Sequence, residues 1–329
     1  MKALVKGAGV AGLTLAHALA TRGAAVTVVD RRHGKEETAS WFAGGMLAPY
    51  CERETAEEAV LALGLGAADW WERALPGSVT HNGTVVVSAA RDLGELDRFA
   101  ARTAGFIWLG QDKLAELEPA LTGRFRRALF FTEEAHLDPR QVLTRLECKL
   151  VGLGVAFEGP EGIAEAGFDV IADCTGAARI GSDAALRGVR GEMLVLRAPG
   201  MVLSRPVRLL HPRFPIYVVP RGNGHFMVGA TMIESDAAGP ITVRSIMELL
   251  NAAYSLNPAF AEAEIVETGV GIRPAYPDNL PRIERAGRTI SVNGLYRHGF
   301  LLAPAMAERA ADMIFDSQPA RELLYEAHR

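Results

Sequence analysis

The glycines near the N-terminus constrain this chain more than any other feature. Gly7, Gly9 and Gly12 stand in G-x-G-x-x-G spacing, after a β run at 2–6 and at the head of a helical pattern over 10–22. Leu13, Leu15, Ala16 and Leu19 recur there at threes and fours. Gly23 stops the helix, and the second β run (24–30) completes a βαβ start. In such a unit the first glycine makes the tight turn, the second lets backbone approach a pyrophosphate, and the third lets helix pack on strand. Val10 and Ala11 open the helix, whose N–H groups and dipole favour phosphate. Asp30, eighteen residues after Gly12, stands where an acid accepts ribose hydroxyls, with Arg31 beside it. The plainer alternative is a glycine-rich turn with Asp30 as a helix cap.

Composition narrows the rest. At 329 residues, 49% hydrophobic and 22% charged, the chain has ordinary globular character and room for about two domains. No run reaches the ~20 apolar residues of a membrane helix, and the start lacks the pattern of a signal peptide. A net charge of −4, with Arg and Glu interspersed, offers no basic face for nucleic acid. Cys51, Cys148 and Cys174 make no CxxC, which suits a reducing cytoplasm. The eight histidines form no HxH or HxxxH pair, so no metal site is expected.

Two kinds of element alternate. Segments 1–50, 138–180 and 288–329 carry parallel α/β character, whereas 51–137 and 181–287 are rich in hairpins. The expected fold is α/β (α+β overall). A discontinuous Rossmann-like dinucleotide domain is interleaved with a substrate domain built on an antiparallel sheet. Residues 214–232 read as a hairpin around Gly222-Asn223-Gly224, which brings Tyr217 and Met232 near each other.

Within "GVGIRPAYPDNLPRIE" (269–284), Arg273 ends an apolar β run beginning at Glu264. A buried guanidinium left unpaired costs about 3–5 kcal/mol, so Arg273 needs an anion. That anion is Asp278, Glu267 or a ligand. Two further stretches favour FAD over NAD. "DCTG" (173–176) ends an apolar strand with Thr175 and Gly176, and "LYRHGFLLAP" (295–304) sets Gly299 before an apolar helix.

The blocks "FAGGMLAP" (42–49), "RGEML" (190–194), "YVVPR…VGATM" (217–232), "GIRPAYPDNLP" (271–281) and "YRHGFLLAP" (296–304) fall in order along the chain. Together they resemble the glycine oxidase branch of the D-amino-acid oxidase family. That resemblance implies FAD held at the glycine loop, Asp30 and Arg31, at Ala43, Gly44, Gly45 and Met46, and at Thr175 and Gly176. It also assigns flavin contacts to Tyr296, His298, Gly299, Phe300 and Leu301. It gives Arg273 the substrate carboxylate, Arg297 a supporting position by the flavin, and Tyr217 and Met232 the pocket wall.

The implied reaction is oxidative deamination of a small amino acid (glycine, sarcosine or a small D-amino acid). It consumes dioxygen, yields a 2-oxo acid, ammonia and hydrogen peroxide, and serves thiazole formation for thiamine. Neither nucleic acid nor membrane takes part, and a homo-oligomer is compatible with this reading. The rival within the same chemistry is a D-amino-acid or secondary-amine dehydrogenase passing electrons to a quinone. The sequence also departs from the family pattern. Asp30 stands where glutamate is frequent, Trp41 and Phe42 replace small residues, and 155–170 is abbreviated, so its adenine-side contact is not carried over.

Overall fold

The computed structural model describes residues 1–31, 38–161 and 163–316; of the expected segment 288–329, residues 317–329 lie outside the described residues. A six-stranded sheet runs in the order Arg282–Ala286, Thr289–Asn293, Val170–Asp173, Lys2–Lys6, Ala25–Val29, Ala156–Glu158. Its strands are parallel except for Arg282–Ala286, which pairs antiparallel with its neighbour. That hairpin strand comes from the stretch grouped above with the substrate sheet. Parallel neighbours need crossovers. The first is the helix Val10–Thr21, which packs against the C-terminal helix Gly299–Phe315.

The apolar run 299–315 becomes a helix whose buried side includes Phe300, Leu301, Leu302 and Met306. The helix Pro139–Gly152 starts as its Asp-Pro sequence dictates. Proline occupies the first turn, and Asp138 accepts the amide N–H groups of Arg140 and Gln141.

The second layer is a nine-stranded sheet with two neighbouring long strands, Arg187–Arg197 and Glu264–Ala275, at one side. It continues through His225–Gly229, Ile216–Pro220, Val207–Leu210, Thr84–Ser88, Arg127–Phe131 and Ile107–Gly110. Most of its pairs are antiparallel; Val207–Leu210 and Thr84–Ser88 run parallel. Helix Val243–Leu256 closes its core through Leu249, Ala252, Ala253 and Leu256. The hairpin around 222–224 forms as expected, with Gly222, Asn223 and Gly224 all at positive φ.

Two local expectations change. The strand holding Arg273 does not end there but runs on to Ala275, so Arg273 sits inside the ladder opposite Val189. Tyr217 pairs with Gly229, and Met232 lies three residues beyond that ladder, so the hairpin register does not set the two opposite each other. A three-stranded sheet of Met46–Leu47, Ala135–Leu137 and Val79–Thr80 lies outside both larger sheets. Among the described residues no helix is long and apolar enough to cross a membrane. No group of three or more His, Cys, Asp or Glu among them could hold a metal ion.

Candidate active site

A cavity of about 1290 Å³ runs from the glycine loop to the face of the nine-stranded sheet. At one end it is lined by Gly7, Gly9, Val10, Ala11, Asp30 and Arg31, and at the other by Tyr217, Met232, Arg273 and Arg297. Between them lie Ala43, Gly44, Gly45 and Met46, with Thr175 and Gly176 alongside. Tyr296, His298, Gly299, Phe300 and Leu301 also line it. Gly12 is the exception among the residues singled out above: it faces the loop instead. A Cβ there would lie 1.8 Å from the Gly7 carbonyl oxygen, so this position serves packing of helix on turn.

The glycine loop has two distinct steric demands. Gly7 has φ +99°, and a Cβ would lie 2.5 Å from the Cys174 carbonyl oxygen. At Gly9 the nearest protein atom to a Cβ is Ser40 Oγ, at 3.3 Å. Protein packing therefore demands glycine at 7 and 12 far more than at 9, which lines the cavity. No side chain caps the helix at Gly9, and Val10 N–H donates to Ser40 Oγ at 3.1 Å. Asp30 accepts the Ala8 N–H at 2.6 Å, so part of its carboxylate holds the loop while the residue lines the cavity. The 155–170 segment contributes Pro160, Ile163 and Glu165 to the wall.

The opposite end is built on close backbone approach. A Cβ on Gly44 would lie 2.7 Å from the Tyr217 ring, and one on Gly191 would lie 2.2 Å from the Arg273 guanidinium. Both glycines leave room for the side chain that crosses them. Phe42 does the same over Gly269, where a Cβ would lie 2.3 Å from its ring. The larger residue before "AGGML" is thus accommodated by a glycine on a distant strand. Arg221, the last residue of "YVVPR", donates to the carbonyls of Gly44 at 2.9 Å and Ala43 at 3.2 Å, tying the hairpin to this loop.

Arg273 donates from Nη1 to the Thr231 carbonyl at 3.0 Å, and no ion pair joins it to a carboxylate among the described residues. Both internal candidates are engaged elsewhere. Glu267 takes a two-pronged contact from Arg140 at 2.8 and 2.7 Å, and Asp278 pairs with Arg282 at 3.3 Å. Burial pushes the Arg273 pKa down, as expected for a cation short of countercharge.

Arg297 is different. Its Nε and Nη2 donate to Glu52 Oε2 at 2.9 and 2.7 Å, and Nη2 also reaches Thr55 Oγ1 at 3.0 Å. Glu52 binds a second guanidinium, Arg208, through Oε1. Burial would raise the Glu52 pKa, but Arg297 and Arg208 overcome it and hold the carboxyl well below its usual range. His298 Nδ1 lies 3.3 Å from the same carboxylate, yet burial takes the imidazole down to about 4, so it is neutral near pH 7. Met232 is 52% exposed, its sulfur 3.4 Å from Arg297 Nη1 and 3.6 Å from the Tyr296 hydroxyl.

Glu52, Arg208 and Arg221 escaped the sequence reading. Arg208 and Arg221 stand in or at the end of apolar β runs, the same signal that singled out Arg273. Glu52 stands six residues after Met46 in a short helix, Pro49–Glu52, with no pattern to mark it.

Comparisons with known proteins agree with this architecture. The chain is 60% identical over 319 residues to a Rhizobium etli protein assigned to thiamine biosynthesis as an oxidoreductase, ThiO, covering 97% of this chain and 98% of that one. It is 29% identical to a glycine oxidase of Bacillus licheniformis, covering 94% and 92% of the two chains. The crystal structure of glycine oxidase from Bacillus cereus superposes with a TM-score of 0.80 at 22% identity, covering 95% of this chain and 96% of that one; this likeness concerns the fold. The model of the FAD-dependent oxidoreductase family (DAO) matches residues 2–313, and the chain belongs to that family.

Proposed function

We propose that this protein oxidatively deaminates a small amino acid whose carboxylate is held by Arg273. Amino acid, dioxygen and water then give a 2-oxo acid, ammonia and hydrogen peroxide, in service of thiamine biosynthesis. The observation that carries this reading is the guanidinium of Arg273 in the wall of the cavity, with one carbonyl bond on Nη1 and no carboxylate partner among the described residues. On this reading the chain works as two interleaved units. Segments 1–50, 138–180 and 288–316, joined by the strand Arg282–Ala286, hold the cofactor, and 51–137 and 181–281 supply the substrate sheet.

Bound FAD would supply the two-electron oxidation, with dioxygen as the final acceptor. The glycine loop, Asp30 and Arg31 would hold its dinucleotide part. The loop 43–46, Thr175, Gly176 and the head of the helix Gly299–Phe315 would hold the flavin. The fit rests on a glycine at 9 that protein packing hardly requires, at the cavity-lining head of the helix Val10–Thr21.

The rest falls to this chain's own side chains. Arg273 offers a planar fork that orients a carboxylate in two-pronged geometry, and its bond to the Thr231 carbonyl fixes the fork's direction. Tyr217, packed over Gly44, limits the space beside it. Cations at this end, Arg273 with Arg208 and Arg297, favour the neutral amine over the ammonium form. The substrate thus sheds its proton without a side-chain base. Orientation and preset charge supply the catalysis.

Anaerobic addition of glycine, sarcosine, D-alanine and D-proline to the yellow holoenzyme tests the proposal. At least one should bleach the flavin, and air should restore the colour with release of peroxide. No bleaching by any of them would remove the reading. Colour restored by a quinone but not by air would replace the oxidase with a dehydrogenase.

A further inference from the structure

We propose that Glu52 is a specificity-determining residue that confines turnover to amino acids with a single carboxylate, by pairing with the other two guanidiniums at this end of the cavity. The inference rests on the reading of Arg273 as the substrate's partner and adds what the neighbouring charges do. Three arginines line this end: Arg208, Arg273 and Arg297. Two of them share one carboxylate, Arg297 on Oε2 through Nε and Nη2, and Arg208 on Oε1. Thr55 takes a further N–H of Arg297, and Met232 covers its Nη1. Arg297 thus has every nitrogen engaged, while Arg208 gives Glu52 its Nη2 and keeps its Nε buried without a partner among the described residues.

Glu52 is itself 8% exposed and lines the cavity. Its charge cancels one of the two positive charges of Arg208 and Arg297 and its oxygens take their donors, so a side-chain carboxylate reaching this region finds far less attraction than two unpaired guanidiniums would give it, and withheld pairing of this kind is how sites reject a competitor. Arg208 also stands directly opposite Tyr217 across paired strands, so this charge cluster lies beside the pocket wall. Glu52 bridges residues far apart in the chain: Arg208 from the substrate sheet and Arg297 from the loop before the C-terminal helix. Its replacement by glutamine keeps the size and one acceptor oxygen but frees a positive charge at the cavity wall.

The test compares D-alanine with D-aspartate in flavin-loaded wild type and Glu52→Gln. In the variant, the ratio of kcat/KM for D-aspartate to that for D-alanine should rise by about tenfold or more. A merely structural role would lower both alike, and an unchanged ratio overturns the proposal. Should the variant fail to load flavin, wild type alone decides through shifts of the flavin spectrum by simple carboxylates. Acetate should bind, and malonate should bind about tenfold or more weakly; malonate binding as tightly as acetate overturns the proposal. Failure of the parent reading looks different, because no monocarboxylic amine would then bleach the wild-type flavin.

Discussion

The two faces of one strand pair solve the same electrostatic problem in opposite ways. Strands Arg187–Arg197 and Glu264–Ala275 pair in register, with Val189 opposite Arg273 and Arg190 opposite Ile272. Because side chains alternate along a strand and partners share a face, Arg273 projects on the face of Val189 and Gly191, and Arg190 on the other. Arg190 is 5% exposed and finds Glu192, 0% exposed, two residues along its own strand, at 2.9 and 2.6 Å. The carbonyls of Ala237 and Pro240 complete its shell. Among the described residues Arg273 has one carbonyl and no carboxylate. A guanidinium satisfied by its own chain is scaffold; one left short of an anion, facing a cavity, is the group proposed above to bind the substrate. Thr231 joins the two, its hydroxyl donating to Glu192 Oε2 and its carbonyl accepting from Arg273.

The largest expected effect comes from breaking the closed face. Glu192→Ala leaves Arg190 buried without countercharge and should cost about 3–5 kcal/mol of stability. It should appear as a lowered Tm with and without flavin. An unchanged Tm would mean that the pair contributes nothing and that the contrast with Arg273 is empty.

On the open face, Arg273→Ala should keep flavin content and Tm while weakening substrate binding by about 2–5 kcal/mol. Arg273→Lys should recover part of this, since an ammonium lacks the planar fork. Rapid-mixing titration of flavin reduction measures it. Normal amino-acid kinetics in the alanine variant would strip Arg273 of its proposed role.

Gly191→Ala probes the shared strand more gently. Its new Cβ would meet the Arg273 guanidinium at 2.2 Å, and that flexible end can shift. The fold and the Arg190–Glu192 pair should therefore survive, while KM rises by less than in Arg273→Ala. A variant with wild-type KM would show that the guanidinium position is not critical.

The smallest effect is in acid. Burial alone would raise the Glu192 pKa, but hydrogen bonding from Ser245 and Arg190, with the Arg190 charge, lowers it below the ordinary 4.5. A depressed carboxyl contributes stability above the unfolded value, and this is lost as pH falls from about 4.5 through the folded value. In an Arg190→Met, Glu192→Gln double variant, the acid limb of Tm against pH should be shallower than in wild type. A limb of equal steepness would place the acid sensitivity elsewhere.

The nucleotide-side loop was legible in the sequence because its demands are local. A turn at φ +99° and a helix packed onto it require glycines at 7 and 12 whatever the rest of the chain does. The same holds for the Asp138-Pro139 helix start and the 222–224 hairpin. The arginines were legible only as a class. Arg190, Arg208 and Arg273 all stand in β runs with apolar neighbours, and no spacing rule separates the paired from the unpaired.

Sequence alone thus determined the βαβ start, the alternation of parallel and antiparallel segments, and the presence of cations needing anions. Short-range sterics and side-chain periodicity suffice for the first two, and desolvation for the third. Only the tertiary structure decided which cation was left without a carboxylate among the described residues. Glu267 could have met Arg273 in sequence terms, but the helix Pro139–Gly152 brings Arg140 to it instead. Glu52 and Arg297 are 245 residues apart and meet only because the short helix Pro49–Glu52 and the loop before the C-terminal helix converge on one cavity. Ion pairing falls off over a few ångströms in three dimensions, and distance along the chain carries no record of it.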